Sequence, residues 1–333
     1  GRFQIGKESQ EKVGQGFMDL KAARETTKDF FYNFPEEGTY LGKVEIQEDN
    51  LPSDNRFYFI TEASKKIKVL LVDGHPGISA FSSETFYLSL SLSPTTSEVS
   101  PIQSSLAVKV VTVDEFFREK LDDFSVVFLA NVGKVTSSLT GRLTGFVREG
   151  RGVVFSLGDN VNPQEYNLVF GDLLPAELIE VKGKAKGEKE LKTIGFQDFA
   201  HPVLKVFGRG KEGDLTRASF YRYFATRVKP SAKIVLGLAG DIPLLIEGEL
   251  PYPGAGKVFL FTSTLDRDWN NLPAKPVFLP LLQRMVDYMA LCTSRGEPGS
   301  AFLVGEEIRY ELGPGALPSS VEIINTLRGK SFP

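Results

Sequence analysis

Residues 66–76 read KIKVLLVDGHP, and this stretch constrains the fold more than any other. An unbroken aliphatic and β-branched run shows no polar alternation, so both faces of the strand have to be covered. That is the situation of a parallel strand held between two helical layers. Asp-Gly then stops it. In open α/β sheets ligands lie just beyond the carboxyl ends of the strands, which puts Asp73, Gly74, His75 and Pro76 where chemistry would be sought.

Downstream, strand-like and helix-like runs alternate, which predicts a parallel sheet. After the strand at 66–72, residues 81–90 suit a helix and 107–113 a second strand, with Asp114 as the expected cap of a helix over 115–120. A third strand is expected at 125–130. Thr136 or Ser137 caps the next helix, whose Leu139, Leu143, Phe146 and Val147 form one apolar stripe ended by Gly150. Residues 152–157 return as the fourth strand, completing a βαβ unit of fixed hand.

From 173 to 258 the pattern is mostly strands, at 177–181, 190–195, 219–227, 233–239 and 243–248, with a last strand at 257–262. The tract KGKAKGEK at 182–189 reads as a solvated hairpin tip, because glycine and compensating glutamate dilute its basic charge. Residues 276–291 close the unit as a helix with Phe278, Leu282, Met285, Val286 and Met289 on one face and Pro280 in its first turn. His201, just before Pro202, reads as a turn or helix-start residue.

The flanks differ in texture. Short runs at 26–34, 38–47 and 56–61, punctuated by PEEG and by LPSDN, predict a small antiparallel sandwich, with a turn at Asp54 and Asn55 and with Phe57 and Phe59 facing inward. After RGEPG at 295–299, residues 302–312 and 320–325 are strand-like again, and neither flank holds enough strands for a whole sandwich. The expected division is therefore a partial sandwich over 1–65, an α/β domain over 66–295 and the start of a second sandwich over 296–333.

Composition removes several functions. The 333 residues exceed one ordinary core, and 41% apolar content suffices to bury one. With a formal charge of −3 and no basic tract, nucleic acid is not an expected partner. The single cysteine, Cys292, excludes an internal disulfide and reads as a small core residue in an apolar helix. Two histidines are too few for a His-based metal site, so neither metal nor cofactor is expected. No apolar run approaches the roughly 18 residues of a spanning helix and no signal peptide opens the chain, so this stretch reads as soluble.

Residues 66–292 resemble the class I glutamine amidotransferase-like fold, a flavodoxin-like sheet. The version they resemble belongs to large bacterial inner-membrane proteins that also carry transmembrane helices and a von Willebrand A domain. The resemblance rests on LPSDNR at 51–56, VLLVDG at 69–74, LANV at 129–132, VVFSLGD at 153–159, AHPVL at 200–204 and TSTLDRDWNNLP at 262–273. It implies a mostly parallel α/β sheet with an antiparallel extension, flanked by partial immunoglobulin-like segments. It also implies an extracytoplasmic portion of a longer protein at the inner membrane, whose partners are other domains of that protein or envelope proteins.

A glutaminase of this fold needs a thiolate on the turn after a strand, together with a histidine base. Here the elbow reads FSLG, with Ser156 in the nucleophile position, and the last strand leads into TSTLD where the enzymes carry His-Pro-Glu. Cys292 lies a full helix away. A catalytically silent binding or scaffolding module is therefore expected. The alternatives are a serine hydrolase using Ser156 with His75, or a binder of carbohydrate or cell-envelope ligands at the loop of Asp266, Asp268 and Trp269. If the sheet is parallel, Asp73, His75, Asn131, Asp159, Asn160 and Asp266 converge on one edge. Their carboxylates should then repel unless a cation, a cationic partner group or backbone donors compensate, so that at least one would have a raised pKa or hold a metal.

Overall fold

The computed structural model describes residues 2–6, 11–15, 34, 38–45, 55–63, 66–77, 82–93, 106–184, 191–209, 213–291, 323–325 and 330–332. By contacts the chain divides into two compact units, Lys66–Ser294 and a second made of Gly1–Lys65 with Arg295–Pro333.

In the second unit, β1 (Arg2–Gly6), β2 (Glu11–Gln15), β3 (Gly38–Glu45) and β4 (Arg56–Ala63) form one antiparallel sheet in the order β2-β1-β3-β4. Phe59 stands opposite Gly42 in the β3–β4 register, and its ring occupies the space a Cβ at Gly42 would need. Phe57 lies on the same face as Phe59 but is not buried as expected; it is 41% exposed, with its ring stacked on Phe59 at 6.5 Å. Two residues of equal parity share one face of a strand, and the described part of this face gives only Phe59 a cover. The expected strand at 26–34 falls outside the described residues except for Phe34, and 302–312, Asp54 and Cys292 fall outside them altogether.

The Lys66–Ser294 unit is built on a nine-stranded sheet. Its parallel part comprises β5 (Ile67–Asp73), β6 (Leu106–Thr112), β7 (Val126–Ala130), β8 (Gly152–Ser156) and β15 (Lys257–Phe261), in the order β6-β5-β7-β8-β15. By chain order this is 2-1-3-4-5, the flavodoxin-like arrangement. Beyond β15 the sheet continues antiparallel through β14 (Ile242–Glu249), β13 (Lys233–Leu238), β10 (Lys192–Gln197) and the short β11 (Ser219–Phe220).

Alternation explains why the core strands are apolar throughout. Val69 and Leu71 enter one core with α1 (Phe86–Leu92) and α5 (Phe278–Leu291); Leu70 and Val72 enter the other with α2 (Val113–Phe116), α3 (Ser137–Arg148) and α4 (Pro163–Phe170). Both faces are dry, as the opening run required. Leu139, Leu143, Phe146 and Val147 of α3 are buried, and Thr136 caps its start by accepting from Leu139 N at 3.3 Å.

Three expectations change. The cap of α2 is Thr112, not Asp114: Thr112 and Glu115 form a reciprocal capping box, which satisfies two orphan donors where Asp114 could satisfy one. The run at 219–227 breaks into β11 and β12 (Arg222–Val228), because the amides of Tyr221 and Arg222 both donate to Trp269 O. The basic tract does not tip a hairpin, since β9 (Ala176–Gly183) pairs with β12 while β10 pairs with β11 and β13. Residues 185–190 of that tract lie outside the described residues.

Candidate functional site

At the carboxyl edge of the parallel strands, most of the expected residues are tied into hydrogen-bonded clusters. Asp73 ends β5 at 3% exposure. Its Oδ1 accepts from His75 N at 2.9 Å, and its Oδ2 accepts from the hydroxyls of Ser83 at 2.5 Å and Thr85 at 3.0 Å. His75 itself is exposed, so the backbone amide and not the imidazole serves the cluster. Asn131, the first residue after β7, has φ 49°, a left-handed conformation that asparagine tolerates better than most residues. That turn aims its Nδ2 at Glu84 Oε1, 2.6 Å away, and its Oδ1 at Asn160 N, 2.9 Å away. Asn160 Nδ2 returns to Gly74 O at 3.2 Å.

Glycine permits this closeness. A Cβ at Gly74 would come 2.1 Å from Asn131 O, and one at Gly158 would come 2.4 Å from Asn131 Cγ. The loops after β5, β7 and β8 are therefore packed on Asn131.

Glu84 is the residue that the sequence reading missed. It stands two residues before the helix α1, in the Ser83–Glu84–Thr85 turn, and is 6% exposed. Burial, then the field of Asp266, push its pKa up to about 8; the Asn131 hydrogen bond opposes this, and Asp268 and Asp73 add to it. Near neutrality Glu84 is a largely protonated acid among carboxylates, the state that buried carboxyl groups adopt when no cation compensates them. Asp266 is raised too, chiefly by burial, while hydrogen bonds from Thr264 and from Asp268 N hold it back. No periodicity marks Glu84; the only signal is a glutamate between two hydroxyl residues just ahead of an apolar helix.

Asp159 belongs to a separate cluster. Its Oδ1 accepts from Arg222 Nη1 at 2.6 Å and its Oδ2 from Trp269 Nε1 at 3.1 Å. The Arg222 guanidinium sits 4.6 Å from the Trp269 ring centroid, and Phe224 stacks on the same ring at 5.5 Å. Trp269 is 1% exposed, so it offers no ring face to a sugar or cation from outside. Arg222 was also missed, since nothing in the sequence joins β12 to the loop after β15.

Ser156, at the elbow, is 3% exposed and donates to Ser263 O at 3.3 Å. Neither histidine is its hydrogen-bond partner. His201 opens a turn instead: its carbonyl accepts from Leu204 N and Lys205 N, and its Nδ1 accepts from Val203 N at 3.2 Å. Its Nε2 faces Glu247 Oε2 at 3.0 Å, and with Nδ1 accepting, Nε2 carries the proton. Glu247 Oε1 accepts from Tyr288 OH at 2.7 Å, with Lys257 Nζ 3.7 Å away. Burial pushes the Glu247 carboxyl up, but hydrogen bonds from His201 and Tyr288, with His201 and Lys257 alongside, leave it below the usual glutamate range. Among the described residues no group of three or more His, Cys, Asp or Glu is arranged to hold a metal ion.

No protein-family model matches the chain, and no curated protein matches it. Solved structures similar in chain course include a cytoplasmic protein of Salmonella typhimurium, 17% identical with a TM-score of 0.49, over 67% of this chain and 99% of that one. A ThuA-like protein of Bacteroides uniformis is 13% identical with a TM-score of 0.46, over 68% of this chain and 92% of that one. A β-galactosidase of Bacillus circulans is 15% identical with a TM-score of 0.44, over 69% of this chain and 31% of that one. The fold rests on the strand order above, and these likenesses say nothing of chemistry.

Proposed function

We infer that the Lys66–Ser294 unit is a non-catalytic binding or scaffolding module on a flavodoxin-like frame. The observation that carries this reading is the state of the elbow. A serine nucleophile needs a base within about 3 Å and an open position for the reacting carbonyl. Ser156 has a backbone carbonyl as its partner, a buried environment, and neighbouring loops closed on Asn131 by glycine contacts too tight for a single added carbon. The sequence resemblance supports a further part of the proposal: the module works as an extracytoplasmic portion of a larger bacterial membrane protein, with partners in that protein or in the envelope. No helix among the described residues is long and apolar enough to cross a membrane.

A fluorophosphonate probe, run alongside an assay for ammonia release from glutamine, tests the catalytic half. The expected outcome is no labelling and no ammonia. Labelling that disappears in Ser156→Ala, or turnover of any acyl substrate lost in the same variant, would establish a serine hydrolase and overturn the reading.

A further inference from the structure

Ser83, Glu84 and Thr85 form a turn outside the sheet, just ahead of α1. Its main chain bonds locally: Phe86 N donates to Ser83 O at 3.2 Å, Ser89 N to Thr85 O at 2.8 Å and Thr85 N to Ser83 Oγ at 3.2 Å. Side chains tie the turn to its neighbours. The Ser83 and Thr85 hydroxyls donate to Asp73 Oδ2 at the end of β5, and the Glu84 carboxyl accepts from Asn131 Nδ2 after β7. Thr85 stands at the N-cap of α1 yet makes no side-chain cap bond, its hydroxyl being turned to Asp73. At seven residues α1 is too short to fix the turn by helix formation, while its Leu88 and Leu92 are anchored in the core. The turn can therefore move without the helix.

The two ties differ in how they respond to a proton. Asp73 is served by three donors, the third being His75 N. Glu84 is buried and meets one amide donor; the charged groups acting on it are Asp73 from β5 and Asp266 and Asp268 from the loop after β15, all acids. The nearby cations are engaged elsewhere: Arg267 bonds Tyr87 of α1, and Arg222 pairs with Asp159. His75 is exposed and lends Asp73 its main-chain amide. An ionised Glu84 thus lies among like charges, and the least costly relief is a local opening that swings this turn into water.

We propose that the Ser83–Thr85 turn is a proton-operated latch on the carboxyl edge, closed while Glu84 keeps its proton and released when Glu84 ionises. The proposal rests on reading the unit as a binding module, because the edge so latched is where open α/β sheets take ligands. Release frees Asn131 Nδ2 at the end of β7. The closed form holds the Glu84 proton up to about pH 8 and the open form gives it up near the ordinary 4.5, so opening grows with pH between those values and levels off above them.

Millisecond hydrogen–deuterium exchange of the whole chain, read by mass spectrometry with each rate divided by the chemical exchange rate at that pH, tests this. Residues 82–89 are expected to be less protected than the β5 and β7 strands at every pH, and to lose about a hundredfold in protection between pH 6 and pH 9, the ratio those two pKa values imply. Glu84→Gln should hold that protection constant. Asp266→Asn, which removes the largest charge effect on Glu84, should move the levelling-off to lower pH. Protection of 82–89 equal to that of the strands, protection independent of pH in the native chain, or the same fall in Glu84→Gln overturns the proposal. None of these readouts involves a ligand or catalysis: labelling of Ser156 by the fluorophosphonate would end the module reading and leave the latch standing, and flat exchange would do the reverse.

Discussion

Glu84 and Glu247 are both buried glutamates at the margins of one sheet, 6% and 8% exposed, and they ionise in opposite directions. Glu247 is met by an imidazole N–H, a phenol and a lysine. Glu84 is met by one amide and three carboxylates. Burial acts alike on both, raising the cost of charge, so it is the company that decides. One group is a structural anion that ties β14 to α5 and to the His201 turn. The other is an acid kept protonated, in a cluster that holds together through hydroxyl and amide donors rather than through ion pairs.

The largest effect should come from removing the anion. Glu247→Ala leaves His201 Nε2–H without its acceptor and removes the one that Tyr288 OH donates to, while Lys257 keeps Glu249; breaking such a buried pair costs about 3–5 kcal/mol. Urea unfolding at pH 7 would show this as a lower midpoint; a loss under about 1 kcal/mol would place the two glutamates on the same footing. The pH dependence carries the same sign argument. Because the folded pKa of Glu247 lies below its ordinary 4.5, its contribution is complete above that value and fades as pH falls through the folded one.

A smaller effect should follow at the other cluster from packing alone. Gly158→Ala sets a methyl group 2.4 Å from Asn131 Cγ, so Asn131 has to move and its bonds to Glu84 and Asn160 lengthen. The expected loss is about 1–3 kcal/mol, the range for overpacking, read from the thermal midpoint. No loss would mean that Asn131 is not the brace of this edge.

How much of this was legible follows from the physics of each signal. The run at 66–72 announced a doubly covered strand, and β5 is one, with Val69 through Val72 fully buried. The order of the parallel strands is the one that the flavodoxin-like resemblance implied. Thr112 lost to Asp114 in the sequence reading because a capping box needs the register of the helix start, which shifts by a residue or two. The break at Tyr221 was invisible because it is made by Trp269, nearly 50 positions on. For the site, strand ends placed Asp73, Asn131, Asp159, Asn160 and Asp266 at one edge, but not the way they divide. Asp73 and Asp266 share Glu84, while Asp159 is taken by Arg222 and Trp269. Glu84 itself lies on a turn, where neither period applies and only three-dimensional neighbours reveal a buried acid.

Whether Glu84 is held protonated in the native chain is decided by Glu84→Gln, with urea unfolding of variant and native chain at pH 5 and pH 9. A carboxyl with a folded pKa of about 8 and an unfolded one near 4.5 holds a proton in the native state that the unfolded chain gives up between those values. Native stability therefore declines from about pH 4.5 through pH 8, by something of the order of 4 kcal/mol from this group alone. Glutamine keeps the shape, can still accept from Asn131, and never ionises. The two chains should unfold at nearly the same urea concentration at pH 5, and the variant should be the more stable by several kcal/mol at pH 9. Parallel stability curves across that range, or a variant weaker at pH 9, would show that Glu84 is an ordinary ionised carboxylate and that this edge is open to compensation from outside.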